Sequence, residues 1–266
     1  MCYRYEYYNF SNGKFDDIID CTYILLMENS PRERSILETV SKYTLTSKCI
    51  IQYNKGYKKC KKDLEKQLPN HDLVHSLQTV FKHAIKSDYQ RILVLEDDCM
   101  FDERINDPKV IRDISTFIHN NDPEIYSLGT HSHFSFPWEI LFSNNQRLLF
   151  TNLAHAIIYN IKYMKEKCDT KFLFNHTDNE LIRHWDKFTY YKPLAYQTFP
   201  ETDNSSAWIF NSKPFLNRVM FHPLNLHNKP QPGFDILVNI SKLICFIIFL
   251  ILLYYLKKLF NKIFFY

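Results

Sequence analysis

Three consecutive acids, Glu96-Asp97-Asp98, directly follow Arg91-Ile-Leu-Val-Leu95, a run of the fully buried strand type. Adjacent carboxylates repel, and desolvation raises the cost of their charge, so packing alone does not favour the arrangement. A hard divalent cation relieves it, since Mg²⁺ and Mn²⁺ take oxygen ligands and bridge one or two carboxylates to phosphates. Side chains alternate along an extended segment, which points Glu96 and Asp98 to one side and Asp97 to the other. The chemistry open to such a set is departure of a nucleotide diphosphate whose charge a metal neutralises. The competing reading is a solvated acidic turn that caps a helix. The strand-end position favours the first, because ligand crevices of open α/β sheets lie outside the carboxyl ends of the strands.

Composition narrows the alternatives. With 4 Gly in 266 residues, the chain has no Gly-rich phosphate cradle of either common spacing. A net charge of +4 argues against a dedicated nucleic-acid binder. The basic run Lys55 to Lys62 reads as a solvated face. Seven cysteines stand at irregular spacing with no C-x-x-C pair. They are expected as reduced thiols in a cytosol-facing domain, without a zinc site or disulfide framework.

The elements that must position the acids read as an alternation of strands and helices. Residues 1–19 are expected as a loose leader. Cys21–Met27 and Lys48–Tyr53 read as strands, and Arg32–Tyr43 and Asp72–Ser87 as helices with apolar residues on one face. A helix near Val110–His119 and strands near Glu124–Leu128, Arg147–Thr151 and Leu153–Tyr159 follow. Helices are then expected over residues 161–168 and Thr177–His184, the latter capped by Thr177 or Asp178. This is an α/β sheet with helices on both faces. Residues 20–210 form one catalytic domain and the proline-rich stretch 211–235 a linker.

The C-terminal segment Ile236–Leu256 is about long enough to span a bilayer core, which takes roughly 20 helical residues. It is expected as a transmembrane or membrane-anchor helix, with Tyr254 and Tyr255 at an interface and a basic tail over 257–266. The tail favours a cytoplasmic end, and the absence of an N-terminal apolar h-region favours a cytosolic catalytic domain. A helix lying in the interface without crossing satisfies both. A helix hydrophobic all round can alternatively be a buried core helix.

Several segments together resemble glycosyltransferase family 25, which includes bacterial lipooligosaccharide galactosyltransferases and collagen β-galactosyltransferases. His71-Asp-Leu-Val-His-Ser-Leu77 through Tyr89 to Phe101 is similar to the family's Ser-His helix, buried strand and E-D-D. Tyr23 to Arg34 resembles its opening N-L-D-R-x-x-x-R segment, and Thr151 to Tyr159 its T-x-A-Y strand. His176-Thr-Asp-Asn-Glu180 resembles its P-x-D segment, and Tyr191 to Gln197 its P-x-x-x-Q ending. The order holds over residues 20–208. Departures are Leu26 where the family has Asn, the inverted pair His75-Ser76, and the missing glycines, as in a divergent, viral member.

The resemblance implies a GT-A-like, nucleotide-sugar-binding sheet flanked by helices. It implies a UDP-sugar donor carrying galactose or glucose, Mn²⁺ or Mg²⁺ at Glu96 and Asp98, and inverting transfer to a glycan, lipid or protein hydroxyl. Asp178, matching the P-x-D segment, is the candidate base, with Glu180 in reserve. Arg32, Arg34, Asp97 and His155 are the candidate nucleotide-binding residues. Each has a plainer alternative: an N-cap for Asp178, surface ion pairs for the arginines, a hydrogen-bonded core position for His155. His131 and His133 could share one side of a strand, but no third ligand is placed by spacing, so zinc is not assigned. Trp138, Trp185 and Trp208 stack on sugars or pack in the core. Two rival functions stay open: a catalytically degenerate transferase fold that binds glycan or a partner at a membrane, and a metal-dependent phosphoryl-transfer or hydrolytic enzyme using the same carboxylates.

Overall fold

A computed structural model describes residues 1–130, 133–151, 154–172, 176–197, 222–226 and 230–264. Strands β1 (Tyr3–Asn9), β2 (Cys21–Met27), β3 (Lys48–Asn54), β4 (Arg91–Glu96), β6 (Ile125–Ser127), β7 (Asn145–Arg147), β8 (Ala156–Asn160) and β9 (Lys187–Tyr190) build one eight-stranded mixed sheet. Its order is β1-β3-β2-β4-β8-β6-β9-β7. A small antiparallel pair, β5 (Cys99–Phe101) with β10 (Ala195–Gln197), stands beyond the end of β4. β3, β2 and β4 run parallel, while β8 is antiparallel to both β4 and β6. The carboxyl ends of β2, β3 and β4 therefore share one edge.

Helices α1 (Glu33–Tyr43), α2 (Pro69–Lys86), α3 (Pro108–Asn121), α4 (Pro137–Phe142), α5 (Ile161–Lys167) and α6 (Thr177–Arg183) precede a long C-terminal helix, α7 (Gly233–Phe264). The period-two alternation of β2 divides the core. Ile24 and Leu26 pack with Ile36 and Val40 of α1 and Ile114 and Ile118 of α3. Tyr23 and Leu25 face the other way, with Leu77, Val80 and Phe81 of α2, Tyr163 of α5 and Leu181 of α6. Both sheet faces are covered, and for that reason β2 and β4 read as unbroken apolar runs.

Three expectations are corrected. Residues 1–19 are not loose: β1 is the antiparallel edge strand on β3, and Phe15, Ile18 and Ile19 are core residues. The Tyr3 and Tyr7 hydroxyls hydrogen-bond His75 and His83 of α2, and the Tyr5 hydroxyl donates to the Thr79 carbonyl. Tyrosine thus buries its ring and satisfies its polar tip on helix side chains and backbone, which composition alone reads as a polar leader. The cysteines are not all thiols, because Cys2 and Cys60 form a disulfide across 58 residues that ties β1 to the segment after β3. Nor does residue 235 end a linker, since α7 begins at Gly233 and buries Phe234 and Val238 against the domain. Residues 211–221 and 227–229 of the expected linker lie outside the described residues.

Smaller shifts follow from pairing. The strand expected over 147–151 forms earlier, at Asn145–Arg147, where β9 supplies its partner. The cap expected of Thr177 or Asp178 is made by the His176 ring, which accepts from the Asp178 backbone N–H at 3.3 Å.

Beside the carboxyl end of β3, the Lys62 ammonium is buried between Asp72 of α2 and the Asn54 side chain. Burial lowers its pKa, and Asp72 opposes that shift. The Asp72 carboxylate also accepts from the Tyr57 backbone N–H at 2.9 Å. Removing one partner leaves a buried charge without its counter-ion. Asp72→Ala is expected to cost about 3–5 kcal/mol in chemical denaturation. A loss below about 1 kcal/mol would show that water reaches the ammonium.

Candidate active site

The exit of β2 is shaped by a turn. Asn29 adopts φ 63°, a conformation Asn tolerates, and the Ser30 N–H donates to the Met27 carbonyl at 3.0 Å. Pro31 and Arg32 then lead into α1. The Ser30 hydroxyl accepts from the Arg32 N–H at 3.3 Å and donates to Asp97 at 3.1 Å. The Arg32 guanidinium reaches the same Asp97 oxygen at 2.8 Å. β4 ends at Glu96, so Asp97 and Asp98 lie in a turn and not in the extended segment expected; there Asp97 locks the β2 exit to the β4 exit.

The β4 exit is held from beneath. The Glu96 N–H donates to the His155 carbonyl at 2.9 Å, continuing the β4–β8 ladder by one bond. From the far side, Gln197 at the end of β10 donates to Asp98 at 3.0 Å. Its register opposite Cys99 fixes that reach. Asp178, in the first turn of α6, lies close enough for its charge to act on Glu96. Elements from residues 30, 96–98, 178 and 197 thus meet at one edge of the sheet.

The electrostatics are those of crowded acids. Burial pushes Glu96 well above the usual carboxylate range, and the charges of Asp98, Asp178 and Asp97 add to this while Arg32 opposes it. Burial pushes Asp98 up to about 7, against the Gln197 hydrogen bond. The site thus resists full ionisation, with Arg32 the guanidinium that opposes the rise of both groups among the described residues. Two hard oxygen donors buried and crowded in this way fit a divalent cation, which would offset both the burial and the repulsion that raise the two groups. Among the described residues no group of three or more His, Cys, Asp or Glu surrounds a single ion position. The protein would contribute Glu96 and Asp98, as suits Mg²⁺ or Mn²⁺ completed by phosphate and water.

The other expected residues fall elsewhere. Arg34 is 90% exposed at its side chain and pairs with Glu38 one turn along α1, so it does not join the acids. Glu180 is buried and ion-paired with Lys167 at 2.7 Å, on the side of α6 toward Glu124 and His184 rather than with Asp178. His155 is fully buried below the acidic turn, and burial pushes its pKa down to about 4. It supports the β4 exit through its backbone carbonyl. His133 is buried against α7, while His131 and Trp208 lie outside the described residues. Ser30 and Gln197 are the contributors that residue type did not single out as site residues. Gln197 stands 99 positions from Asp98, and the β5–β10 pairing alone brings them together.

Gly129 is the close approach under this site. A methyl group there would lie 1.9 Å from the Ala195 carbonyl oxygen and 2.7 Å from the His155 ring. Gly129→Ala must push β10 off the β4 exit, and overpacking of this kind costs about 1–3 kcal/mol. The expected result is a lower Tm in thermal denaturation. An unchanged Tm would show that β10 yields to the added methyl without cost.

No protein-family model matches the chain, and no curated protein sequence matches it. Among solved structures, the crystal structure of A197 from STIV overlaps 67% of this chain and 86% of its own, at 9% identity and a TM-score of 0.44. A glycosyltransferase involved in the glycosylation of the major capsid of PBCV-1 overlaps 55% of this chain and 63% of its own, at 16% identity and a TM-score of 0.30. The second is a distant likeness to a viral glycosyltransferase.

Proposed function

We propose that the chain is a metal-dependent glycosyltransferase that moves a hexose, galactose or glucose, from a UDP-sugar to a hydroxyl with inversion. The observation that carries this reading is the meeting of Glu96 and Asp98, at the carboxyl end of β4, with Arg32 and Asp178, whose charges both act on Glu96. A GT-A-like sheet is the scaffold that suits it, and the acceptor is a glycan, lipid or protein.

In this reading Glu96 and Asp98 would hold Mn²⁺ or Mg²⁺, which would supply Lewis-acid stabilisation to a departing nucleotide diphosphate. Arg32, held at 2.8 Å by Asp97, keeps its guanidinium at the same edge and adds positive charge toward the diphosphate. Asp178 takes the proton of the acceptor hydroxyl as its oxygen attacks the anomeric carbon. The new C–O bond forms while the bond to the β-phosphate oxygen breaks, and its electron pair leaves with UDP. Gln197 orients Asp98 through its amide and has no part in proton transfer.

The test is thermal denaturation of the full chain with UDP-glucose, UDP-galactose, GDP-mannose and CMP-sialic acid, each with and without Mn²⁺. Binding to the native state raises Tm by mass action, by about 2.7 kcal/mol of stability at a hundredfold excess over Kd. A rise with a UDP-sugar that requires Mn²⁺ is expected. A response to none of the four, in either condition, refutes the donor assignment.

A further inference from the structure

α7 is long and apolar enough to cross a membrane. Its first half, however, is fastened to the domain. Arg104 donates to Asp235 at 3.1 Å, the His133 N–H donates to the Ser241 hydroxyl at 2.9 Å, and the Lys242 ammonium donates to the Tyr191 carbonyl. Phe234, Val238, Ser241 and Cys245 are buried beneath these bonds, and the Trp138 ring of α4 meets Phe249 at 6.2 Å. The Arg104 anchor is itself fixed: burial works against the Asp102 charge, but Arg104 and Tyr196 hold its carboxyl well below the usual range.

That fastening limits what the helix can do. Between Phe249 and the pair Lys257-Lys258 stand seven apolar or aromatic residues, Leu250 to Leu256. They rise about 10 Å, against a hydrocarbon core of about 30 Å. A perpendicular span would draw either the docked domain or both lysines into the core. The opposite face of the docked half is open: Ile236, Ile240, Leu243 and Ile247 are exposed at helical spacing, continuous with Leu250, Ile251 and Tyr254. Beside it, α4 presents Trp138, Leu141 and Phe142, the last 85% exposed, and the ring of Phe136 joins Trp138 to Trp185.

We propose that the outward stripe of α7 and the exposed face of α4 form one monotopic seat, lying in the headgroup–acyl boundary of a single leaflet. The occupant is a lipid bilayer. The argument for it is the continuity of the α4 face with the apolar free end of α7, and the enrichment of this seam in tryptophan, which favours that boundary. Lys257, Lys258 and Lys262 then reach the headgroups by extending their stems. The docked bonds make the domain and the seat one body, so the acids of the β4 exit keep a fixed attitude to the membrane. The inference does not depend on the transferase reading, since its test uses no turnover.

The test places single tryptophans in the full chain, reconstituted in phosphatidylcholine vesicles brominated at acyl carbons 6,7 or 11,12. One variant keeps Trp138 with Trp185→Phe and Trp208→Phe. Two others add Ile240→Trp or Leu252→Trp to a chain with all three tryptophans replaced by Phe. The seat predicts that all three probes are quenched at least twofold, the shallow bromines acting more strongly than the deep ones. Quenching of the Leu252→Trp probe alone, strongest with deep bromines, means a perpendicular span and overturns the proposal. No quenching of any probe removes α7 from the membrane altogether. Shielding of Trp138 that grows with protein concentration in detergent, without bromine quenching, assigns the face to a second copy and also overturns it. Trp138 and Ile240 are about half exposed, and circular dichroism of each variant checks that the fold is kept.

Discussion

Asp98→Asn is expected to reduce UDP release by at least about 10²–10³-fold while leaving the fold intact or slightly firmer. The two effects have opposite signs for one reason. Asp98 is buried and its charge is costly, which is why burial pushes it up to about 7. Asn has the same shape and no charge. It keeps a carbonyl oxygen for the Gln197 amide, which donates at 3.0 Å in the native chain. In buffer with EDTA the variant should therefore melt at or above the native temperature. What it loses is a hard anionic oxygen for the cation, so the Mn²⁺-dependent rise in Tm should shrink with the activity. A variant that melts well below the native chain would make Asp98 a structural residue. Full activity with Asn at this position would remove the metal from the mechanism.

Asp178→Asn is expected to lower kcat by about 10²–10⁴-fold, the range for loss of a positioned general base, with donor KM within a few-fold of native. The side-chain cap at the start of α6 is made by the His176 ring, which accepts from the Asp178 N–H. Its helix should persist in the variant. Removing its charge also lowers the field on Glu96, which rises in pKa partly through Asp178. Mn²⁺ affinity is then expected to fall no more than a few-fold. The split is the diagnostic: a large drop in kcat with near-normal Mn²⁺ response places Asp178 at the acceptor. A drop in Mn²⁺ affinity matching the drop in kcat would make it a third metal ligand, and the base would have to be sought elsewhere. Glu180 is a poor substitute, since it is buried in its ion pair with Lys167.

The differences between sequence and structure have particular causes. Glu96-Asp97-Asp98 was legible because a buried apolar run must end somewhere polar, and three acids there have no packing rationale. The separate duty of Asp97 was not legible from alternation, because β4 ends at Glu96 and Asp97 and Asp98 form a turn; that turn sets Asp97 against Ser30 and Arg32. Arg32 and Arg34 look alike in sequence. Two positions at the start of α1 separate a guanidinium on Asp97 from one in solvent beside Glu38. The same holds for Asp178 and Glu180, two positions apart on a helix and so on different faces.

The sequence by itself determined the local facts: which runs are strands, which helices are two-faced, where acids follow a buried strand, and where an apolar helix stands. Those depend on period and residue type over ten or twenty positions. Only the tertiary structure decided that Gln197 reaches Asp98, that tyrosines 3, 5 and 7 seal an edge strand onto α2, and that Cys2 meets Cys60. It also decided that α7 is fastened along its first half and not strung on a linker. Each of these is a contact between segments far apart in the chain. Such contacts are selected by the shared burial of the whole sheet, which no window of sequence contains.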